Sequence, residues 1–397
     1  MKLRSIVGAL VLCVLVTPAA AKRKIVRLKL GPFPIEAKRD REVCKAFRVT
    51  GVGGMAVESW EARSRVARRG DIASHHLVAY GYSGERTGEF PAEVVDNPGC
   101  GDFGPADFFT RRVFLAGSGG ESIKGHWSVT EGTMPGDLTQ QLPTSGDEAV
   151  VVVNSHYFNT SSSRGGGVVK VKLRLAPLDP RKRVVRQLIH GDASRDIMVP
   201  PGETGAVTST FQADGSPNFQ TEGGVNPAGD VCILNLASHM HLRGTRFVIG
   251  YESAAGAVPL LDHPDYLHPG VVLRPLMDGS RGLLRAYTAA NGFPRLRYGC
   301  EYANGTGGKP LKMGCEEEPG VVPGLAWAEA ERRGISSLES HAKPCGKGGV
   351  NCDGKACVPA NLVFGALSDD DMCILTAMVY DPIPGAPPEQ ACDFGSY

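Results

Sequence analysis

An all-β fold is predicted for this chain by three features of its sequence. Glycine and proline are frequent, 51 and 28 among 397 residues, whereas aromatic residues make up only 7%. Apolar segments are short and broken by turn residues. Several of them alternate apolar and polar side chains with the period of two that a half-buried strand requires.

The chain opens on Met1-Lys2-Leu3-Arg4, runs through an apolar stretch from Ile6 to Val16, and reaches Pro18-Ala19-Ala20-Ala21 before Lys22. A basic start, a short apolar centre and an Ala-x-Ala site describe a secretory signal peptide over residues 1–21, not a membrane span. Cys13 follows Leu12, where a lipoprotein signal would carry a small residue, so no lipid anchor is expected. The expected mature chain has 397 − 21 = 376 residues and no second long apolar run, enough for two domains with full cores. A net charge of +1 gives no electrostatic footprint for nucleic acid or an anionic membrane. Ten cysteines remain after Cys13, and an even number in an oxidising compartment predicts up to five disulfides. The protein is thus expected to be secreted or periplasmic.

From Lys24 to Leu30 the chain alternates Val26, Leu28 and Leu30 with Ile25, Arg27 and Lys29, as an amphipathic strand does. Cys44 leads into a polar, arginine-rich stretch ending at Arg69. Ile72 to Gly81 is an apolar segment containing His75 and His76. Residues 82–148 are rich in Gly, Pro and Asp and offer Phe108, Phe109, Phe114 and Trp127 for packing. Ala149 to Val153 begins a strand that carries His156 near its end. Ser161 to Gly167 reads as a hairpin turn, and Val169, Val171, Leu173 and Leu175 alternate with charged residues in the returning strand. A first domain is placed at 22–177 and a second at 178–397, with Pro177 to Arg183 as linker. In the second, Arg243-Gly244 reads as a turn that returns Phe247 to Tyr251 beside the preceding strand. Tyr298 to Tyr302 is a further strand before the Asn304-Gly305 turn. Residues 307–360, with four cysteines and a short helix candidate from Leu325 to Arg333, read as an insertion. The core pattern resumes at Leu362 to Gly365 and runs on from Ser368 to Tyr380.

The chemistry-bearing stretch is Ala237-Ser238-His239-Met240-His241-Leu242. On a strand, histidines at i and i+2 share a face about 7 Å apart at the backbone, close enough to chelate one metal ion. The adjacent His75 and His76 point to opposite faces of a regular strand, so sharing one ion requires a strand end, a bulge or a bend. With His156, five histidines occupy three strand-like segments. Imidazoles suit zinc, copper, iron or nickel. The thioether of Met372, which closes a charged loop just before a strand, favours copper, above all Cu(I). Spacing alone does not bring Met372 to His239. His126, His190, His263, His268 and His341 lie in loop-like sequence and match no ligand pattern.

The segments Ser74-His75-His76-Leu77, Asn154-Ser155-His156-Tyr157, His239-Met240-His241-Leu242 and Asp370-Asp371-Met372-Cys373 resemble the copper-site motifs of the copper type II, ascorbate-dependent monooxygenases. That family includes peptidylglycine α-hydroxylating monooxygenase and dopamine β-monooxygenase. The four motifs stand in the family's order, and the resemblance runs from about Arg41 to Cys392. It implies two jelly-roll-like β-sandwiches in tandem, separated by an open solvent cleft. It also implies an electron-transfer copper on His75, His76 and His156, and a catalytic, oxygen-binding copper on His239, His241 and Met372. The implied reaction hydroxylates a C–H bond of a small organic substrate with O2, ascorbate or a similar donor restoring both ions. The implied disulfides are Cys44–Cys100, Cys300–Cys373 and Cys232–Cys392. Cys315, Cys345, Cys352 and Cys357 are then left to pair within the insertion, a zinc knot being the alternative.

The departures bear on substrate. Peptide-amidating members carry an arginine two residues before the His-x-His pair, and an asparagine and a tyrosine just after the ligand methionine. Here those positions are Ala237, Ile374 and Thr376, which removes the grip on a substrate carboxylate. A family cysteine is replaced by Tyr82. Peptide amidation is therefore not expected, and a smaller or more apolar substrate is. Two other readings of the sequence are a non-catalytic copper-binding or copper-storage protein on the same scaffold, and a zinc hydrolase with Asp370 or Asp371 as general base.

Overall fold

The computed structural model describes residues 22–394, apart from 38–39, 68–71, 98–99, 101–102, 119–126, 144–146, 160–161, 219–220, 222, 265, 267–268, 291, 335–344, 346–351, 353 and 366–369. The side chains of residues 40, 67, 72–75 and 158 also fall outside the description. The leader at 1–21 and His126, His268 and His341 lie outside the described residues.

The chain folds as two β-sandwiches in tandem. In the first, the strand Lys24–Ile35 buries alternate side chains and pairs with Gly165–Ala176, which in turn pairs with Ala56–Ala67. That sheet continues through Ser128–Thr133 and Leu138–Gln141. The facing sheet has the order Val95–Asp96, Asp40–Thr50, Glu148–Asn159, Ile72–Tyr82, Arg112–Ser118. Between them lies a core that includes Val43, Leu77, Val151, Val153, Val171 and Leu173. The arginine-rich stretch before Arg69 thus contains the strand Ala56–Ala67, whose inward residues include the small Ala62 and Ser64. With so little apolar contrast its alternation was hard to read. The hairpin expected at Ser161 to Gly167 is not formed either: Glu148–Asn159 and Gly165–Ala176 lie in opposite sheets, and Gly166 and Gly167 already pair with Ala67 and Val66.

The second sandwich packs the sheet Arg186–His190, Ile374–Tyr380, Val231–His239, Val271–Leu273 against the sheet Thr204–Phe211, Arg295–Ala303, Gly244–Ser253, Gly256–His263. Its core includes Ile233, Leu236, Phe247, Ile249, Leu296, Leu375 and Val379. Here the expected hairpin fails: Gly244–Ser253 does not return beside Val231–His239 but crosses into the opposite sheet, pairing with Arg295–Ala303. The place beside the histidine strand is taken by Ile374–Tyr380. His190 and His263, expected in loops, each end a strand. His190 is buried against Tyr298, with its Nδ1 2.9 Å from the phenol oxygen.

The sandwiches are joined by a third apolar cluster, in which Leu138 and Phe114 of the first meet Cys232, Leu234, Met378 and Tyr380 of the second. Arg183 stands at this seam, paired with Asp137 at 3.0 Å and stacked 5.0 Å from the Tyr380 ring centroid. The short strand Arg183–Val184 adds in parallel to Leu138–Gln141, so the connecting segment ends by extending the first sandwich.

Disulfides join Cys44–Cys100, Cys232–Cys392, Cys300–Cys373, Cys315–Cys352 and Cys345–Cys357. The insertion's four cysteines are therefore disulfide staples, not a zinc knot. Its helix is Trp327–Arg332, and its hairpin joins Met313–Cys315 to Cys357–Pro359. It is fastened to the body by a fully buried ion pair, Lys312 Nζ to Asp370 Oδ1 at 2.5 Å. Asn159 and Asn304, each of which opens an Asn-x-Ser/Thr sequence, are buried, and their amides donate to backbone carbonyls.

Candidate metal centre

The first cluster is a single row across three adjacent strands. Glu42 pairs with His156 in one direction, and His156 pairs with His76 in the other. Residues directly opposite in antiparallel strands share a face, with Cβ atoms about 4.5–5.5 Å apart, so register alone brings the three side chains together. The His76 and His156 ring centroids lie 5.2 Å apart. His76 Nε2 is 3.2 Å from Glu42 Oε1, and His156 Nδ1 is 4.0 Å from Glu42 Oε2. One ligand atom from each of the three lies within 4.8 Å of the others. Asn154, two residues before His156 on the same face, faces His76 Nε2 with its Oδ1 at 2.7 Å and donates its Nδ2–H to Glu42 Oε1 at 2.8 Å. Its amide also reaches Cys100 Sγ of the Cys44–Cys100 disulfide at 3.2 Å.

The row sits on the outer face of its sheet, opposite the Val43, Leu77 and Val153 core. Tyr82, Phe90, Phe103 and Phe108 cover that face farther along. Tyr82 is buried there and donates to Asp107 at 2.8 Å. His75 lies at a register shift between Ser74 and His76, the bulge that its adjacency to His76 demands. Its side chain is outside the described residues.

The second cluster lies where a strand ends. Leu236 and Met240 point into the core of the second sandwich, so Ala237 and His239 lie on the face that also carries Cys232 and Leu234 toward the first sandwich. The His239 and His241 ring centroids are 5.2 Å apart. His239 pairs with Ile374, and continuing that register by two residues brings Met372 opposite His241. The Asp371 carboxylate holds this juncture: Oδ1 accepts from His241 N at 2.8 Å and Met372 N at 2.9 Å, and Oδ2 accepts from Arg243 N at 3.1 Å. Tyr302 OH donates to the Met372 carbonyl at 2.8 Å. His241 Nδ1 is 3.3 Å from the Asp370 carbonyl. A carbonyl oxygen only accepts, so Nδ1 carries the proton and Nε2 is the lone-pair nitrogen.

Electrostatics tie the clusters together. Burial, then repulsion from His76 and His156, lowers the His239 imidazole to about 4. Burial, then His239, His156 and His76, lowers His241 well below its usual value. The first-sandwich imidazoles thus lie close enough to act electrostatically on those of the second. Burial pushes the Asp371 carboxyl up to about 7 against its three N–H donors. At neutral pH both second-site imidazoles are neutral, the form that ligates metal.

The donor sets fit metal ions of the imidazole-binding class. Two imidazoles with a carboxylate converge in the first sandwich; two imidazoles, with the Met372 backbone alongside, converge in the second. Glu42 and Asn154 are the functional residues that sequence reading missed. Both carboxylates that a zinc hydrolase would use as base are engaged, Asp371 by backbone N–H groups and Asp370 by Lys312. Ala237, Ile374 and Thr376 form one patch beside His239, because Ala237 pairs with Thr376 and His239 with Ile374. Val271, 53% exposed, pairs with Ala237 on its other side and extends the patch.

Fold and site together describe a two-sandwich, disulfide-bonded all-β protein with a histidine cluster on each sandwich. No protein-family profile matches the chain, and no curated protein does. Among solved structures, it shows a likeness to the PBSX exported protein XepA at 9% identity and a TM-score of 0.18, covering 70% of this chain and 86% of that one. A likeness to broad bean stain virus has 8% identity and a TM-score of 0.31, covering 92% of each chain. VP54 of PBCV-1 gives 8% identity and 0.30 over 93% of this chain and 96% of that one. At these scores the likenesses carry no argument about function.

Proposed function

We propose that this protein is an exported two-copper monooxygenase that hydroxylates a C–H bond of a small uncharged organic substrate, using O2 and an ascorbate-type reductant. The observation that carries the reading is the presence of one imidazole cluster on each sandwich, with the Met372 backbone latched beside His241 in the second. His75, His76 and His156 would hold one copper, and His239, His241 and Met372 the other. Copper at these positions supplies one-electron redox chemistry and activation of dioxygen.

The chain's own residues prepare that chemistry. Burial keeps His239 and His241 unprotonated at neutral pH, so metal binds there without first displacing protons. Asp370 fixes the His241 tautomer through its carbonyl, and Asp371 fixes the approach of the Met372 segment. Beside His239, Ala237, Ile374 and Thr376 present small or apolar surface and no cation, which suits an uncharged substrate rather than a peptide carboxylate. Five disulfides, and the absence of a helix long and apolar enough to cross a membrane among the described residues, accord with export through the leader at 1–21.

A substrate screen on copper-loaded protein tests the reading. Hydroxylated product with matching ascorbate and O2 consumption is expected from an uncharged aromatic or aliphatic compound. Copper uptake with no substrate-dependent ascorbate consumption across such a panel would instead identify a copper-binding or storage protein.

A further inference from the structure

We infer that Glu42 is a ligand of the first-sandwich metal, giving that site a carboxylate donor beside its imidazoles and biasing it toward the oxidised ion. The inference rests on the proposal that copper binds this cluster, but not on the reaction catalysed.

Three observations carry it. First, Glu42 occupies the same cross-strand row as His156 and His76, so three continuous strands aim its side chain at the cluster. Second, both imidazoles turn a ring nitrogen toward this one carboxylate, His76 Nε2 at 3.2 Å from one oxygen and His156 Nδ1 at 4.0 Å from the other. The ligand atoms fall within 4.8 Å of one another, the convergence that one ion requires. Third, Glu42 is 6% exposed, and a carboxylate taken that far from water needs compensating positive charge. A cation bound between the carboxylate and the two ring nitrogens that face it supplies such charge. Asn154 holds the carboxylate in place through its Nδ2–H.

The chemical consequence is asymmetry between the sites. A carboxylate oxygen is a hard, anionic donor that stabilises Cu(II) over Cu(I), whereas a thioether such as that of Met372 does the reverse. The first copper would therefore be the stronger reductant of the two and would pass its electron toward the second.

A carboxylate that merely accepted a hydrogen bond from His76 would orient the ring and strengthen Cu(II) and Cu(I) binding alike. The test separates these roles. Apo protein carrying His241→Ala, so that the first site is read alone, is titrated with Cu(II) and separately with Cu(I) under a competing chelator, with and without Glu42→Gln. The expected result is at least a ~10-fold weakening of Cu(II) with little change for Cu(I), together with an altered parallel hyperfine splitting in the Cu(II) EPR spectrum. Equal weakening of both ions, or no change in either, overturns the inference while leaving the copper site in place. Copper uptake that His156→Ala does not diminish overturns the site itself. As a check independent of any Glu42 variant, difference infrared spectra of 13C-glutamate-labelled protein should show a carboxylate stretch that moves when Cu(II) is added. No moving carboxylate band contradicts the assignment.

Discussion

The two histidine clusters are built by opposite means. In the first sandwich Glu42, His156 and His76 lie within three continuous strands, so the ladder that holds the sheet also sets their spacing. In the second, His241 and Met372 lie just beyond the ends of their strands, and a single buried carboxylate, that of Asp371, holds both backbones. A site written into a ladder is as rigid as the sheet. One held by a latch depends on a few buried polar contacts and is the easier to adjust or to break.

The largest expected effect falls on the support of that latch. Lys312→Met leaves Asp370 buried without its 2.5 Å partner, next to the residue that positions Met372. Breaking such a pair costs about 3–5 kcal/mol, read by urea unfolding. Copper at the second site should be lost before copper at the first. Loss of both together would break the distinction between ladder and latch. Asp371→Asn keeps the shape but replaces one accepting oxygen by an NH2 that cannot accept from the N–H groups it faces. A cost of about 2–3 kcal/mol is expected, with weakened metal binding at the second site alone.

Acidification should sharpen the same contrast. His239, His241 and His190 have folded values below the free imidazole value of 6.5. Between about pH 6.5 and 4 the unfolded chain therefore takes up protons that the folded chain refuses, and stability falls as pH falls. Asp371, raised to about 7, acts oppositely, because its folded form holds a proton that the unfolded form releases above its usual value of 3.8. Three imidazoles against one carboxyl leave two net protons, a loss of up to about 2.7 kcal/mol per pH unit on acidification of the apo protein. A flat profile would contradict neutral, buried imidazoles. The smallest effect on stability belongs to Met372→Leu, within about 1.5 kcal/mol for a volume-conserving change. Its expected signature is weaker Cu(I) binding at the second site with the first untouched.

The sequence carried the period-two strands, the ten paired cysteines and the histidine-bearing strand segments in legible form, because each is a local pattern or a count. His75 and His76 even announced the need for a bulge, which lies at His75. Glu42 was illegible for a physical reason. Its role comes from a register with His156 across 114 positions of chain, and nothing near it distinguishes it from a surface glutamate. The partner of the His239 strand was misread for a related reason. A turn at Arg243-Gly244 suggests a hairpin, but Asp371 draws the His241–Arg243 backbone toward Ile374–Tyr380 and the chain crosses to the other sheet. Ala237 stands far from Ile374 and Thr376 in the chain, and register shows that the three form one surface.

Copper analysis with EPR on protein purified from an oxidising compartment tests the central claim most directly, with His156→Ala and His241→Ala measured beside the unaltered chain. About two coppers per chain are expected, falling to about one in each variant with a different Cu(II) spectrum remaining in each case. One copper or fewer in the unaltered protein, retention of zinc in its place, or identical residual spectra in the two variants would contradict the account of two separate, differently built sites.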